Sequence, residues 1–89
     1  MEQDEPILVY ATFPSRADAE RIGGQLVADR LAACVNILPG MIAIYIWEGK
    51  HQQEEECAMI IKSRARLAAR IIERVRSLHP YETPALIVL

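Results

Sequence analysis

Residues 41–63, with the sequence MIAIYIWEGKHQQEEECAMIIKS, decide the fold of this chain. Side chains of a β-strand alternate between two faces, and both faces of the first half of this stretch are apolar: Ile42, Ile44 and Ile46 on one, and Met41, Ala43, Tyr45 and Trp47 on the other. A polar turn, EGK at residues 48–50, separates this run from a second one that ends near residue 62. The pattern indicates a β-hairpin.

The predicted hairpin is long for the size of the chain. A second strand of about eleven residues would reach about 36 Å, whereas a compact chain of this length has a radius of gyration near 12 Å. The hairpin should therefore project beyond its own domain with apolar side chains on both faces. Because such a surface promotes aggregation unless it is covered, we expect an oligomer joined partly through this hairpin.

Composition places the chain among folded globular proteins. Its 89 residues predict a single domain, residues 1–89, and hydrophobic residues make up 52% of it against 25% charged residues. The net charge of −2 provides no basic surface of the kind that nucleic acid requires. Five arginines between residues 64 and 76 are accompanied by Glu73, which favours a solvated helix face.

No apolar segment approaches the ~20 residues that cross a bilayer, and the first residues, MEQDEPI, are acidic where a secretory signal would be basic. We therefore expect a cytoplasmic protein with no membrane partner. Cys34 and Cys57 fall on successive predicted strands, on the order of 23 Å apart. They should be buried thiols rather than a disulfide.

The remaining elements follow in order along the chain. Residues 7–13 predict a central strand, Ser15 caps a first helix, and residues 34–38 form a strand that the Pro39-Gly40 pair bends or breaks before the hairpin. Ser63 is expected to cap a second helix that Pro80 stops, and residues 85–89 predict a last strand.

The order βαββαβ is that of the ferredoxin-like α+β fold, an α/β sandwich with two helices on one face of an antiparallel sheet. The other face would be bare. We expect another copy of the chain, or a continuation of this one, to cover it.

Residues 79–84, HPYETP, hold four polar side chains between two prolines. A stiff polar loop of this kind is typical of a binding site, but it is also consistent with a helix stop and a rigid turn into an edge strand. Both interpretations remain open from the local sequence.

Metal ligation by one chain has little support, because the two histidines, His51 and His79, are 28 residues apart with no paired ligand nearby. A weaker site that uses His79 with Glu or Cys ligands from two subunits remains possible. The glutamates at residues 54–56 fit either a solvated edge or ligands. Tyr45 and Trp47 fit either a pocket for a small planar or anionic ligand or the core of an interface. No catalytic motif is present, so we expect no enzymatic activity.

Taken together, several stretches resemble the CutA-type divalent-cation tolerance proteins: TFP at residues 12–14, LAACVNI at 31–37, YIWEGK at 45–50, IKS at 61–63 and HPYETP at 79–84. The resemblance covers about residues 7–89. It implies a ferredoxin-like fold, a tight homotrimer, and a cytoplasmic protein linked to tolerance of copper and other divalent metals. It also implies a fold similar to that of PII-type signal proteins, which bind small ligands between subunits.

Carried onto this chain, the resemblance implies a ligand cleft with six members: Tyr45, Trp47, Glu56, Lys62, His79 and Tyr81. It makes His79 the strongest copper ligand. Some members have a cysteine where this chain has Ala11 and a histidine where it has Leu78, and a serine and a glutamate are usual at Ala43 and Ala85. These departures weaken the expectation of tight copper binding. A further C-terminal strand and helix that are usual in the family are absent from this sequence.

The sequence therefore favours a non-enzymatic homotrimer that binds copper or another divalent metal weakly in an intersubunit cleft, with no obligatory cofactor. The alternative is a PII-like sensor or scaffold whose cleft takes a small organic or anionic ligand through Lys62, Trp47 and His79, with metal binding incidental.

Overall fold

A computed structural model describes residues 4–80 and 85–89 of the chain. The elements in order are β1 (Pro6–Phe13), α1 (Arg16–Ala28), β2 (Cys34–Trp47), β3 (Lys50–Arg64), a short 3-10 helix (Ala65–Leu67), α2 (Ala68–Leu78) and β4 (Leu86–Val88). The four strands form one sheet in the order β2-β3-β1-β4, and every neighbouring pair is antiparallel. The predicted ferredoxin-like α+β fold is confirmed.

The core lies between the sheet and the two helices. Val9, Ala11 and Phe13 alternate along β1 and are fully buried, and across the β1–β3 pairing Ala11 is opposite Met59 and Phe13 opposite Cys57. These side chains share one cluster with the buried residues of α1 and α2. Since residues that are opposite each other in a ladder share a face, both helices cover the same face of the sheet.

Helix α1 begins as the sequence predicts. The Ser15 hydroxyl accepts a hydrogen bond from the Asp18 amide at 3.1 Å. Gly23 then lets the helix approach the sheet closely, because a Cβ at this position would lie 2.9 Å from Cε of Met59 and 3.0 Å from Cγ2 of Val35. Gly24 has no such neighbour within 4 Å.

Helix α2 does not begin at Ser63, and that prediction is wrong. Strand β3 continues to Arg64, and the Ser63 hydroxyl instead donates a hydrogen bond of 2.6 Å to the carbonyl oxygen of Leu31. The 3-10 helix that precedes α2 is held from a distant part of the chain: the carboxylate of Asp4 accepts a hydrogen bond from the Arg66 amide at 3.2 Å. The helix turn is therefore joined to the start of β1.

The hairpin is longer than the sequence analysis assumed, because Pro39 and Gly40 bend β2 without ending it. The register shifts between Leu38 and Met41, and Gly40 has a φ of +79° at this bulge. The tip is a two-residue turn in which Glu48 and Gly49 have φ values of +50° and +79°.

The hairpin projects as predicted, and it extends the domain to 48 Å along its longest axis, with a radius of gyration of 13.7 Å. We call residues 41–56, the part of the hairpin beyond the bulge, the apolar arm. Its exposed apolar side chains are Ile42, Ile44, Tyr45, Ile46 and Trp47.

Candidate functional site

A shallow groove of about 1050 Å³ crosses the face of the sheet that the helices leave bare. One wall comes from β1, through Tyr10 and Thr12, and the other from the apolar arm. The arm residues that line it include Tyr45, Trp47 and Glu56, which the sequence predicted as site residues.

Register explains why these side chains converge. After the bulge, Met41 is opposite Glu56, Tyr45 opposite Gln52 and Trp47 opposite Lys50, so alternate residues of both arm strands point to the bare face. Without the bulge, the period of two would direct Tyr45 and Trp47 to the helix-covered side.

Aromatic and acidic groups meet in the groove. The Tyr45 hydroxyl donates a hydrogen bond to Oε1 of Glu54, while the Trp47 side chain remains 63% exposed. Glu56 is half-buried on the same face. The groove thus combines a large π-face with two carboxylates, which suits a cation or a planar ligand better than an anion.

His79 lies apart from the groove. Its Nε2 is 2.7 Å from the carbonyl oxygen of Thr12, and its ring stacks on Phe13 with the centroids 4.8 Å apart. Because a carbonyl oxygen only accepts hydrogen bonds, Nε2 carries the proton and donates it. The ring is 8% exposed, and it packs with the helix-covered core. Pro80 restricts His79 to an extended backbone, with φ −75° and ψ 139°.

Lys62 is also separated from the groove within one chain. It is opposite Cys34 at the far end of β3, six residues from Glu56 and therefore roughly 20 Å along the strand. Tyr81 lies outside the described residues. One chain thus brings together Tyr45, Trp47 and Glu56, but not His79 or Lys62.

Among the groove residues that were missing from the predicted site are Tyr10, Thr12 and Gln52. Tyr10 and Thr12 stand at alternate positions of β1, so strand periodicity carried the signal for their shared face. That these two residues lie beside the arm depends on the order of the strands in the sheet, and the sequence pattern of β1 does not predict that order.

Within residues 4–80 and 85–89, no group of three or more His, Cys, Asp or Glu side chains is arranged to hold a metal ion. Both cysteines are free thiols. Burial raises the pKa of Cys57, an effect that the positive charge of Arg16 partly opposes and the negative charge of Glu20 adds to. This thiol is therefore a poor metal ligand at neutral pH. In the described part of the chain, no helix is long and apolar enough to cross a membrane.

Comparison with known proteins gives a consistent result. Residues 7–89 match the family of the CutA1 divalent ion tolerance protein. A Citrobacter koseri divalent-cation tolerance protein CutA is 41% identical over 85 residues, which is 96% of this chain and 74% of that protein. The chloroplastic CutA 1 of Oryza sativa is 42% identical over 93% of this chain, but the chain spans only 47% of the rice protein.

Solved structures agree with the fold. The CutA1 divalent ion tolerance protein from Ehrlichia chaffeensis superimposes with a TM-score of 0.93 at 34% identity, over 99% of this chain and 82% of that one. The divalent cation tolerance protein from Thermus thermophilus gives 0.91 at 39% identity, over 96% of this chain and 82% of that one. With sequence, fold and strand order in agreement, the chain belongs to the CutA1 family of divalent ion tolerance proteins.

Proposed function

We propose that the chain acts as a non-enzymatic homotrimer that binds divalent metal, copper among them, in clefts between subunits. The exposed apolar arm carries this proposal. Ile42, Ile44 and Ile46 are 52%, 62% and 66% exposed on one face, and Trp47 is 63% exposed on the other. An isolated chain would keep both apolar faces in water.

A second copy of the chain is the natural cover for such an arm. Each fully buried Ile or Trp side chain contributes about 1.5–3 kcal/mol relative to its exposed state, and a small domain has little core stability of its own. A closed ring buries every arm equally, whereas an open arrangement leaves one arm uncovered. The family resemblance implies three subunits in that ring.

Shared ligands explain how a chain whose described residues form no metal cluster of their own would bind metal. The Nε2–H of His79 is held by the Thr12 carbonyl oxygen at 2.7 Å, the kind of contact that orients a metal-binding imidazole. The remaining ligands would come from a neighbouring subunit, with Glu54 and Glu56 as candidates because both line the groove on the projecting arm. Alanine at residue 11 and leucine at 78 make such a site weak.

Calorimetric titration of the chelator-treated protein with Cu²⁺ tests this function. We expect saturable binding that His79→Ala abolishes and that His51→Ala, the matched loss of the other histidine, leaves unchanged. The mass of the particle is measured before and after titration. Equal binding by the two variants would contradict the metal site without affecting the proposed trimer.

A second function, a sensor or scaffold for a small ligand, is supported by the aromatic groove. Trp47 is the single tryptophan of the chain, so its fluorescence reports occupancy of the groove directly. A planar uncharged probe such as adenine should quench this emission saturably if the second function is correct, and Lys62→Ala should weaken the binding of a small anion more than that of adenine. Quenching by Cu²⁺ alone would favour the first function.

We also propose that the chain is cytoplasmic. Relatives are named as chloroplastic in Oryza sativa and as periplasmic in Archaeoglobus fulgidus, so the family name does not determine the compartment. Fractionation of cells that express the untagged chain, with a periplasmic marker enzyme alongside, tests this expectation.

A further inference from the structure

The groove on the bare face of the sheet carries negative charge. Among the described residues that line it, Glu54 and Glu56 are charged, and none is Lys, Arg or His. Glu54 is opposite Ala43 and Glu56 opposite Met41, and opposite residues share a face of the sheet. The two glutamates are two residues apart and therefore about 7 Å along the strand. The groove should attract a ligand with positive charge.

Thr12 gives an independent sign of a ligand at the same place. Ala11 and Phe13 are buried against the helices, so the Thr12 side chain points to the bare face, where it lines the groove. Thr12 is only 9% exposed, yet within residues 4–80 and 85–89 its hydroxyl has no hydrogen-bond partner. Since a buried hydroxyl normally has a partner, this one is available to a donor that enters the groove.

Register brings the hydroxyl and the carboxylates together. Thr12 is opposite Ala58, so Glu56, two residues before Ala58 on the same face, is the diagonal neighbour of Thr12 at about 7–8 Å between Cα atoms. Glu54 follows at about the same spacing along β3. The Tyr45 hydroxyl donates a hydrogen bond to Oε1 of Glu54, which orients that carboxylate. Because a carboxylate has about four acceptor sites, Glu54 can accept further hydrogen bonds.

We propose that this groove binds a short linear diamine with both nitrogens protonated. One ammonium group would donate hydrogen bonds to Glu56 and to the Thr12 hydroxyl, and the other would donate to Glu54, since an ammonium group has three donors and no acceptor. The methylene chain between them would lie on Met41 and Ala43, which line the same groove. This ligand class refines the second proposed function, in which the groove takes a small ligand.

The spacing of the carboxylates favours two separate charges over a single ion. Two side chains that start about 7 Å apart along a strand suit two ammonium groups joined by a short chain. A divalent metal would need further ligands from a neighbouring subunit, because the described residues of one chain form no cluster of three ligating side chains. The diamine uses acceptors that one chain already provides.

Calorimetric titration of the chelator-treated, assembled protein with 1,4-diaminobutane tests the proposal. Low ionic strength is used because salt screens exposed ion pairs. We expect saturable binding of one diamine per chain, and n-butylamine, which has one charge, should bind about two- to fivefold more weakly, the range of one exposed ion pair. Glu56→Gln should weaken diamine binding to a similar extent. Glu55→Gln, the same change of charge on the opposite face of the arm, should not.

Thr12→Val provides a second arm, because it keeps the size of the side chain and removes the hydroxyl. It should weaken diamine binding at least twofold, while the melting temperature of the variant shows that the fold is kept. Absence of saturable binding, equal affinity of Glu55→Gln and Glu56→Gln, or unchanged affinity of Thr12→Val would overturn the proposal. So would n-butylamine or Mg²⁺ that binds as tightly as the diamine, because the separation of the two charges would then contribute nothing.

Adenine separates this result from the second proposed function. If adenine quenches Trp47 and the diamine does not bind, the groove takes a small ligand and only the diamine is rejected. If neither binds, both are rejected.

Discussion

Two adjacent glycines in α1 allow the packing of helix on sheet to be measured against an internal control. Replacing either one with alanine gains about 1 kcal/mol of helix propensity. At Gly24 nothing lies within 4 Å of the new Cβ, so Gly24→Ala should stabilise the protein by about that amount. At Gly23 the new Cβ would lie 2.9 Å from Met59 Cε and 3.0 Å from Val35 Cγ2.

Relief of those two contacts costs about 1–3 kcal/mol in a well-packed core. Met59 is fully buried, so its terminal methyl group has little room to move. Gly23→Ala should therefore be less stable than Gly24→Ala by about 1–3 kcal/mol, and neutral to destabilised relative to the parent. Urea unfolding at one fixed protein concentration, with an unchanged m-value, measures the difference. Equal stabilisation by both substitutions would refute the close approach of α1 to the sheet.

The remaining predictions concern contacts that hold the site region. Asp4→Asn should lower the free energy of unfolding by about 0.5–1 kcal/mol at low salt and by much less at high salt, because it removes the charge from exposed ion pairs. A loss of stability that does not depend on salt would contradict this. His79→Phe keeps a ring packed on the core but leaves the Thr12 carbonyl oxygen without the donor that lies 2.7 Å away. Thermal or urea unfolding should show a loss of stability of about 1–3 kcal/mol, and unchanged stability would exclude that hydrogen bond. Cys34, half-buried, should react with an aromatic disulfide reagent well before Cys57, which is 1% exposed. Burial raises the pKa of Cys57 in the folded chain, so the unfolded chain loses the thiol proton at a lower pH than the folded chain does. The free energy of unfolding should therefore fall as the pH rises above the ordinary thiol pKa.

Local patterns predicted the elements of this fold well. Alternation of apolar residues predicted the arm, Ser15 predicted the start of α1, and the order of elements predicted the antiparallel sheet. Each of these rests on residues close together in sequence, where periodicity and capping chemistry decide the structure.

The errors arose where distant parts of the chain compete. Ser63 has the chemistry of a helix cap, but pairing with β1 keeps it in the strand and Asp4 caps the turn instead. Resemblance grouped Lys62 and His79 with Trp47 in a cleft between subunits. Within one chain the register of β3 places Lys62 at the other end of the sheet and stacking on Phe13 holds His79 with the core, so this grouping stays a prediction about the assembly. Such a site depends on register and on neighbouring subunits, which local sequence does not specify.

Assembly through the apolar arm is the central claim, and sedimentation equilibrium of the purified chain at low micromolar concentration tests it most directly. We predict a single species of about 30 kDa, three times the 10.0 kDa of one chain. Ile44→Lys should convert it to smaller species, whereas Gln25→Lys on α1, outside the arm, should leave it intact. A stable, soluble 10.0 kDa monomer with the arm exposed would contradict the account.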